Sequence, residues 1–519
     1  MKSLFKTVFL IVFFSVITRI VGFLFRIYIS RTIGAEALGE YQVSFSVFMV
    51  LLTVVASGLP FIVSRLTAQY KAQKDKVNER KMVTASVVIG LVLSLILCGL
   101  VFAFIPVLKH IFADDKCIIL LLILLPALVF SSVYSVLRGN VWGKGNYFVL
   151  CITELFEQIA RVLLFIILIS GLFGTKDGAV VSAISMTGAC LLSALLVLVI
   201  YLATGGKFKR VKDKNMYKNI IKKSSSITGV RLAGSLVQPL IALIVPLRLV
   251  SAGYTSAQAL TLFGTAMGMT IPFLYIPSTI IGSLSTALVP DLSSALVKND
   301  MVYIKNRVVS AIRFTIFISV MFIPLYIGAG ETIGLFFYDN ALSGSLLMQS
   351  AWIILPLGLT NISSSLLNSL GYEVKSMKNY VLGAILLILS IWFLPKIFGI
   401  NALVWGFGSL FVTTSILNII MLKKILKEKL PIHKFLWLSV AFIIPSASIC
   451  SLLCNLFVNF TTKFFALAIS CSFGALFYIL LCLIFNLIEF NSISVYIKQK
   501  LFKKLKSRKK KKKLVQGVK

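Results

Sequence analysis

Apolar runs of roughly 20 residues or more follow one another along this chain with only short polar breaks, and a bilayer about 30 Å thick is the environment that accommodates them. Inside hydrocarbon every backbone N–H and C=O must be satisfied within the protein, so runs of this length and spacing read as helices. The 519 residues are 58% hydrophobic and 13% charged, with a mean hydropathy of +0.98, which leaves no polar stretch large enough for a soluble domain. The expected class is an all-α polytopic membrane protein. About fourteen spans are expected, at 8–30, 42–68, 83–108, 118–137, 148–170, 179–203, 224–250, 258–290, 308–330, 346–370, 379–395, 400–422, 435–458 and 464–488. The eighth carries Pro272 and Pro277, so a kinked helix is expected there. The basic, apolar start of the chain reads as an uncleaved first helix, because no small-residue cleavage site follows it.

The formal charge of +35 is explained by where the cations fall. With a cytoplasmic N-terminus, the segments on the inner side hold 39 of the 52 Lys and Arg, the outer loops hold six, and seven lie within spans. That asymmetry is the signature of membrane orientation, and it needs an even number of spans with both termini cytoplasmic in a cell membrane. A nucleic-acid partner is therefore not expected. The tail, "KKLKSRKKKKKLVQGVK", is read as a solvated arm drawn to anionic lipid head groups, ahead of the alternative of a nucleic-acid arm.

Soluble chemistry is not indicated either. The eight cysteines lie in or beside apolar segments with no CxxC, and His110 and His433 sit at segment ends, so neither a metal site nor a catalytic thiol is expected. No G-x-x-x-x-G-K-[ST] occurs, hence no ATPase within the chain and no cofactor. Transport would then draw on an ion gradient or the membrane potential.

One motif repeats. "LPFIVSRLTAQYKAQKDK" (59–76) and "VPDLSSALVKNDMVYIKNR" (289–307) align Pro60 with Pro290, and each runs into a basic inner loop. The pairing implies two parallel six-helix lobes: an N-lobe over 1–203, a basic linker over 204–223, a C-lobe over 224–422, two further helices over 423–490, and a tail over 491–519. Pro60, Arg65, Pro290 and Asp291 are the candidate hinge or gate, with Pro60 expected to loosen the last turns of span 2 and Arg65 to hold that end at the inner surface.

Charges inside the spans point to a substrate. An arginine at mid-span costs about 2.5–3.5 kcal/mol on insertion scales, so its presence implies a polar cavity. Arg19 and Arg26, seven residues apart on one helical face, and Arg231 in span 7 form a candidate cationic site for an anion such as a phosphate or diphosphate. Glu154, Glu157 and Arg161 share one face of span 5, and with Gln238 they form a candidate supporting polar network; Glu157 and Arg161, at i and i+4, can instead be a purely structural ion pair. Arg65, Arg248 and Arg313 lie near span ends, where they can snorkel.

The stretches "TRIVGFLFRIYISRTIGAEALGEYQ" (18–42), "SGLPFIVSRLTAQYKAQKD" (57–75) and "ILLPALVFSSVYSVLRGNVWGKGNYFVLCITELFEQIARV" (123–162) resemble the first lobe of polysaccharide-biosynthesis transporters of the stage V sporulation protein B type. These belong to the multidrug/oligosaccharidyl-lipid/polysaccharide (MOP) flippase superfamily, which includes lipid II flippases. The most specific element is R-G-x-x-x-G (Arg138, Gly139, Gly143) followed by E-Q-x-x-R (Glu157, Gln158, Arg161), with Trp142 where the family usually has glutamine. The resemblance implies a fourteen-helix, two-lobed bundle with alternating access that carries undecaprenyl-diphosphate-linked sugars or a peptidoglycan precursor outward, for spore cortex or other envelope, beside cell-wall synthesis proteins. It also implies a substrate role for Arg19, which matches the first-helix arginine of lipid II flippases, while Arg26 falls one position off the second. An alternative in the same fold is a drug/cation antiporter, which calls for carboxylates in the cavity. A membrane-bound glycan polymerase or ligase calls for a sizeable outer loop, and the longest one here is about fifteen residues, 331–345.

Overall fold

The computed structural model describes residues 2–174, 177–211, 213–298, 300–427 and 431–487. All its regular structure is helical, with no strand among the described residues; the basic tail over 491–519 and the end of 423–490 lie outside them. In chain order the helices are α1 (Lys2–Ala56), α2 (Leu59–Ala72), α3 (Lys76–Ala103), α4 (Ile105–Ile111), α5 (Asp115–Gly143), α6 (Tyr147–Leu168), α7 (Gly178–Ala203), α8 (Lys214–Ser235), α9 (Val237–Val250) and α10 (Ser256–Phe263). They continue as α11 (Ile271–Val297), α12 (Met301–Tyr338), α13 (Ala341–Ser350), α14 (Ile354–Ser369), α15 (Glu373–Phe393), α16 (Pro395–Phe398), α17 (Asn401–Leu426), α18 (His433–Ala441), α19 (Ile443–Phe460) and α20 (Lys463–Ile484).

Eleven stretches among the described residues are long and apolar enough to cross a membrane. The first, Phe13–Ala72, has 60 residues, far more than the roughly 20 one crossing needs. Gly34, at φ 78° and ψ 176°, breaks its helix, so the runs 8–30 and 42–68 occupy separate arms. Two expected spans fall outside the eleven. Helix α6 has the length, but Glu154, Glu157 and Arg161 interrupt its apolar run, and 224–250 is divided at Leu236 into α8 and α9.

The expected irregularity in the eighth span sits ahead of its prolines. A π-helical turn, Gly264–Thr270, precedes Pro272, and α11 then continues unbroken past Pro277. Proline cannot donate to the preceding turn, and a wider turn on that side takes up the lost bond. The expected fifteen-residue outer loop is also shorter than its sequence implied: α12 runs to Tyr338 and α13 starts at Ala341.

The chain divides into two compact units. One holds the residues up to Phe273 together with Phe337–Leu346 and Tyr380–Thr413; the other holds Leu274–Phe336, Leu347–Asn379 and the chain from Thr414 onward. In the first, backbone meets backbone where glycines allow it. A Cβ on Gly39 would lie 2.0 Å from the Leu260 carbonyl oxygen, and one on Gly264 would lie 2.1 Å from that of Ala35, so α1 and the π turn touch at a spacing only glycine permits. Leu59, Val63, Met82, Val83, Leu137, Val197 and Tyr201 form an apolar core of the same unit, joining α2, α3, α5 and α7. In the second unit, Gly328 and Gly474 are both packed on Cys450, so that cysteine is a small buried hydrophobe, as its apolar setting in the sequence implies.

Candidate functional site

Helix α1 supplies the first part of the site. Arg19, Gly22 and Arg26 recur at i, i+3 and i+7 and so share one face. Arg19 is exposed and makes no hydrogen bond or ion pair among the described residues. Arg26 is half-buried, with the neutral Tyr338 and Tyr41 phenols in its surroundings, both in the same unit, and it makes no ion pair among the described residues. Phe25 and Tyr28 meet Phe165 edge to face at 5.5 and 5.9 Å, which joins this part of α1 to helix α6.

Helix α6 carries the carboxylates, and both are already engaged. Arg161 lies 3.5 Å from Glu157, one turn away, with both side chains largely buried and the Arg161 Nε left without a partner. Glu154 pairs with Arg138 of α5, whose guanidinium also lies 5.8 Å from the Tyr134 ring centroid. Two acids and two arginines thus cancel locally, and the uncompensated charge of this region belongs to Arg19 and Arg26. That arrangement attracts anions and disfavours organic cations.

Arg231 has a different setting. Its guanidinium stacks 4.3 Å from the Phe61 centroid, and Phe61 in turn meets Trp142 edge to face at 5.0 Å. These contacts put Arg231 beside the start of α2, next to Pro60, rather than with Tyr41 and Arg26. The helix is interrupted at Ser57–Gly58, and Pro60 lies in the first turn of α2, where its missing N–H costs no helical bond. Gly58 is packed tightly on α8: a Cβ on it would lie 2.4 Å from both the Ser224 carbonyl oxygen and Thr228 Oγ1.

The R-G-x-x-x-G element locks α2 in place. A Cβ on Gly139 would lie 2.7 Å from the Pro60 carbonyl oxygen, and one on Gly143 would lie 2.4 Å from that of Ser64, so the two glycines of α5 let its backbone rest on α2. Between them Asn140, which is buried, donates to Thr67 Oγ1 at 3.1 Å and to Glu79 Oε1 at 3.0 Å. Lys144 completes the cluster, bridging to Glu79 at 3.3 Å while its carbonyl accepts from Lys71 Nζ at 2.7 Å. Arg80 donates to the Gly205 carbonyl at 2.6 Å. The basic segments 69–82, 138–147 and 204–223, assigned to one side by charge counting, therefore meet at one end of the bundle.

The remaining expected residues lie apart. Arg65 and Gln238 are exposed and have no partner among the described residues. In the second unit Pro290 sits inside the continuous helix α11, with no break like the one at Pro60, and Asp291 accepts from Tyr303 Oη at 3.0 Å and pairs with Arg307 at 3.2 Å. Sequence reasoning did not single out Tyr41, Tyr134 or Tyr338, because an aromatic in a membrane helix carries no periodic or charge signal. No group of three or more metal-ligating side chains occurs among the described residues.

Comparison with known proteins adds three findings. The family model described as "Polysaccharide biosynthesis protein" matches residues 4–296. Stage V sporulation protein B of Bacillus subtilis (strain 168) is 27% identical over 393 residues, covering 71% of this chain and 73% of that protein, and Lipid II flippase MurJ of the same organism is 20% identical over 422 residues, covering 74% and 76%. Among solved structures, an inward closed Lipid II flippase MurJ superposes with a TM-score of 0.66 at 17% identity over 92% of this chain and 98% of that one. An inward-facing multidrug resistance MATE transporter of the MOP superfamily gives 0.62 at 16% identity over 79% and 94%. The fold is thus that of the MOP transporters, and where these relatives' names state an activity it is flipping or transport, not catalysis.

Proposed function

The chain belongs to the polysaccharide biosynthesis protein family, and from that premise we propose that it is a flippase for a lipid-linked oligosaccharide or peptidoglycan precursor. Its cargo carries a diphosphate, and it moves from the inner to the outer leaflet by alternating access of an N-lobe and a C-lobe, with both termini cytoplasmic. The observation that carries this reading is the pair Arg19 and Arg26. They lie on one face of a membrane helix with no carboxylate against either among the described residues, while the nearby acids, Glu154 and Glu157, are each taken by another arginine. A charge in a membrane helix without a protein counter-ion calls for an anionic ligand or water. For the same reason a drug/cation antiporter fits less well, since it needs carboxylates open to its cargo.

The likeness to stage V sporulation protein B favours a spore-envelope precursor as the cargo, with an ion gradient or the membrane potential as driving force. Depletion of the protein in cells tests the reading. A lipid-linked diphosphate glycan should build up on the inner leaflet within a generation, and wild-type protein should clear it where Arg19→Ala does not. If no such lipid accumulates, the assignment fails.

A further inference from the structure

We infer that Gln158 is the residue that reads the uncharged sugar adjoining the diphosphate; the inference rests on the anionic-lipid reading above. Its side-chain amide lies against α1 between the two arginines, with Nε2 standing 3.4 Å and Cδ 3.7 Å from the position a Cβ would take at Gly22. Gly22 shares the face of Arg19 and Arg26, whose Cα atoms are separated along the axis by about 10 Å, at ~1.5 Å per residue. Because Gly22 has no side chain, the amide can approach the α1 backbone directly on the face that carries the two arginines. Gln158 is half-buried and makes no hydrogen bond among the described residues.

An unpaired amide at membrane depth is costly, so it needs a partner from water or ligand. Its chemistry says which part of the ligand that is. Arginine only donates, which suits phosphate oxygens, whereas the glutamine amide offers two donors and an acceptor. The acceptor is of no use to a fully ionised diphosphate but takes the proton of a sugar hydroxyl or an acetamido N–H. The carboxylates of α6 cannot serve in its place, being engaged by Arg138 and Arg161. The face thus presents charge at its two ends and a neutral hydrogen-bonding group between them, matching a diphosphate with a neutral glycan attached.

The test uses full-length protein in nanodiscs and titrates two probes: a polyprenyl diphosphate, and the same lipid bearing one N-acetylated hexose. Gln158→Met, close in shape but unable to hydrogen-bond, should raise Kd for the sugar-bearing lipid about three- to ten-fold, the effect of one or two neutral hydrogen bonds, and leave the bare diphosphate within two-fold of wild type. Gln158→Ala should give the same pattern and serves if the Met variant does not fold. Equal weakening of both probes, or of neither, overturns the role of Gln158. Arg19→Ala should weaken both probes; if it changes neither, the anionic-lipid reading itself is lost, whatever the Gln158 variants do.

Discussion

Replacing Gly139 by alanine tests the packing of α5 on α2 in the first unit. The new methyl carbon would meet the Pro60 Cα at 2.9 Å and its carbonyl oxygen at 2.7 Å. Carbon atoms in contact rest at about 3.5 Å or more, so α5 and α2 must part by roughly 0.6 Å. Backbone cannot rotate out of the way as a flexible side chain would, and the separation also stretches the Asn140 bond to Thr67 of α2, at 3.1 Å, past useful length. Overpacking of this kind costs about 1–3 kcal/mol, and the weakened hydrogen bond adds about 1 kcal/mol. The melting temperature of purified Gly139→Ala should drop by several degrees. Gly99 is the control, since nothing lies within 4 Å of its Cβ position. Gly99→Ala removes a helix-interior glycine and should be neutral or stabilising by roughly 0.5–1 kcal/mol. If the Gly139 variant melts with wild type, or the two variants fall equally, α5 does not rest on α2 as described.

Arg19 has no partner among the described residues and carries the cost of a mid-membrane charge, so Arg19→Leu should raise the melting temperature while abolishing transport; a fall in stability would mean that Arg19 is structural. Arg161→Met strands the Glu157 carboxylate, and with both side chains about one-fifth exposed the cost should be about 1–3 kcal/mol; adding Glu157→Gln should restore most of it, as a thermal-shift double-mutant cycle can check. Asp75, outside the spans, accepts from the Asn78 N–H at 3.0 Å and from its Nδ2 at 2.6 Å, which holds its carboxyl below the ordinary range. A depressed carboxylate stabilises the fold above its ordinary pKa and loses that contribution as pH falls through its folded value. Asp75→Ala should therefore melt below wild type at neutral pH and converge with it under acid; a gap that persists unchanged into acid would show that the carboxylate charge is not involved.

The helical class, the membrane setting and the common side of the basic loops follow from run length and cation placement, because hydrocarbon leaves few alternatives to a sequence of this kind. The Glu157–Arg161 contact was legible for a similar reason, being local to one helix. Contacts between helices were not. That Glu154 would pair with Arg138, or that Arg231 would stack on Phe61, depends on which faces meet, and periodicity within one helix does not determine that. The repeat containing Pro60 and Pro290 illustrates the limit. Identical prolines in matching contexts stand just after a helix interruption in one case, beside Gly58 packed on α8, and inside a continuous helix in the other. The family's R-G-x-x-x-G signature was readable as a motif, while its physical role emerged only when both glycines were seen against the α2 backbone.

Reconstitution gives the most direct measurement of the central claim. Full-length protein in liposomes is supplied with a polyprenyl-diphosphate-linked sugar in both leaflets, and an impermeant lectin or glycosidase reports the fraction reachable from outside. The account predicts that wild-type protein, with an ion gradient or a membrane potential imposed, makes nearly all of the lipid reachable, and that Arg19→Ala and Arg26→Ala leave it near the half exposed in protein-free vesicles. Equal exposure with wild-type and Arg19→Ala protein, or none above protein-free vesicles with wild type, would contradict it.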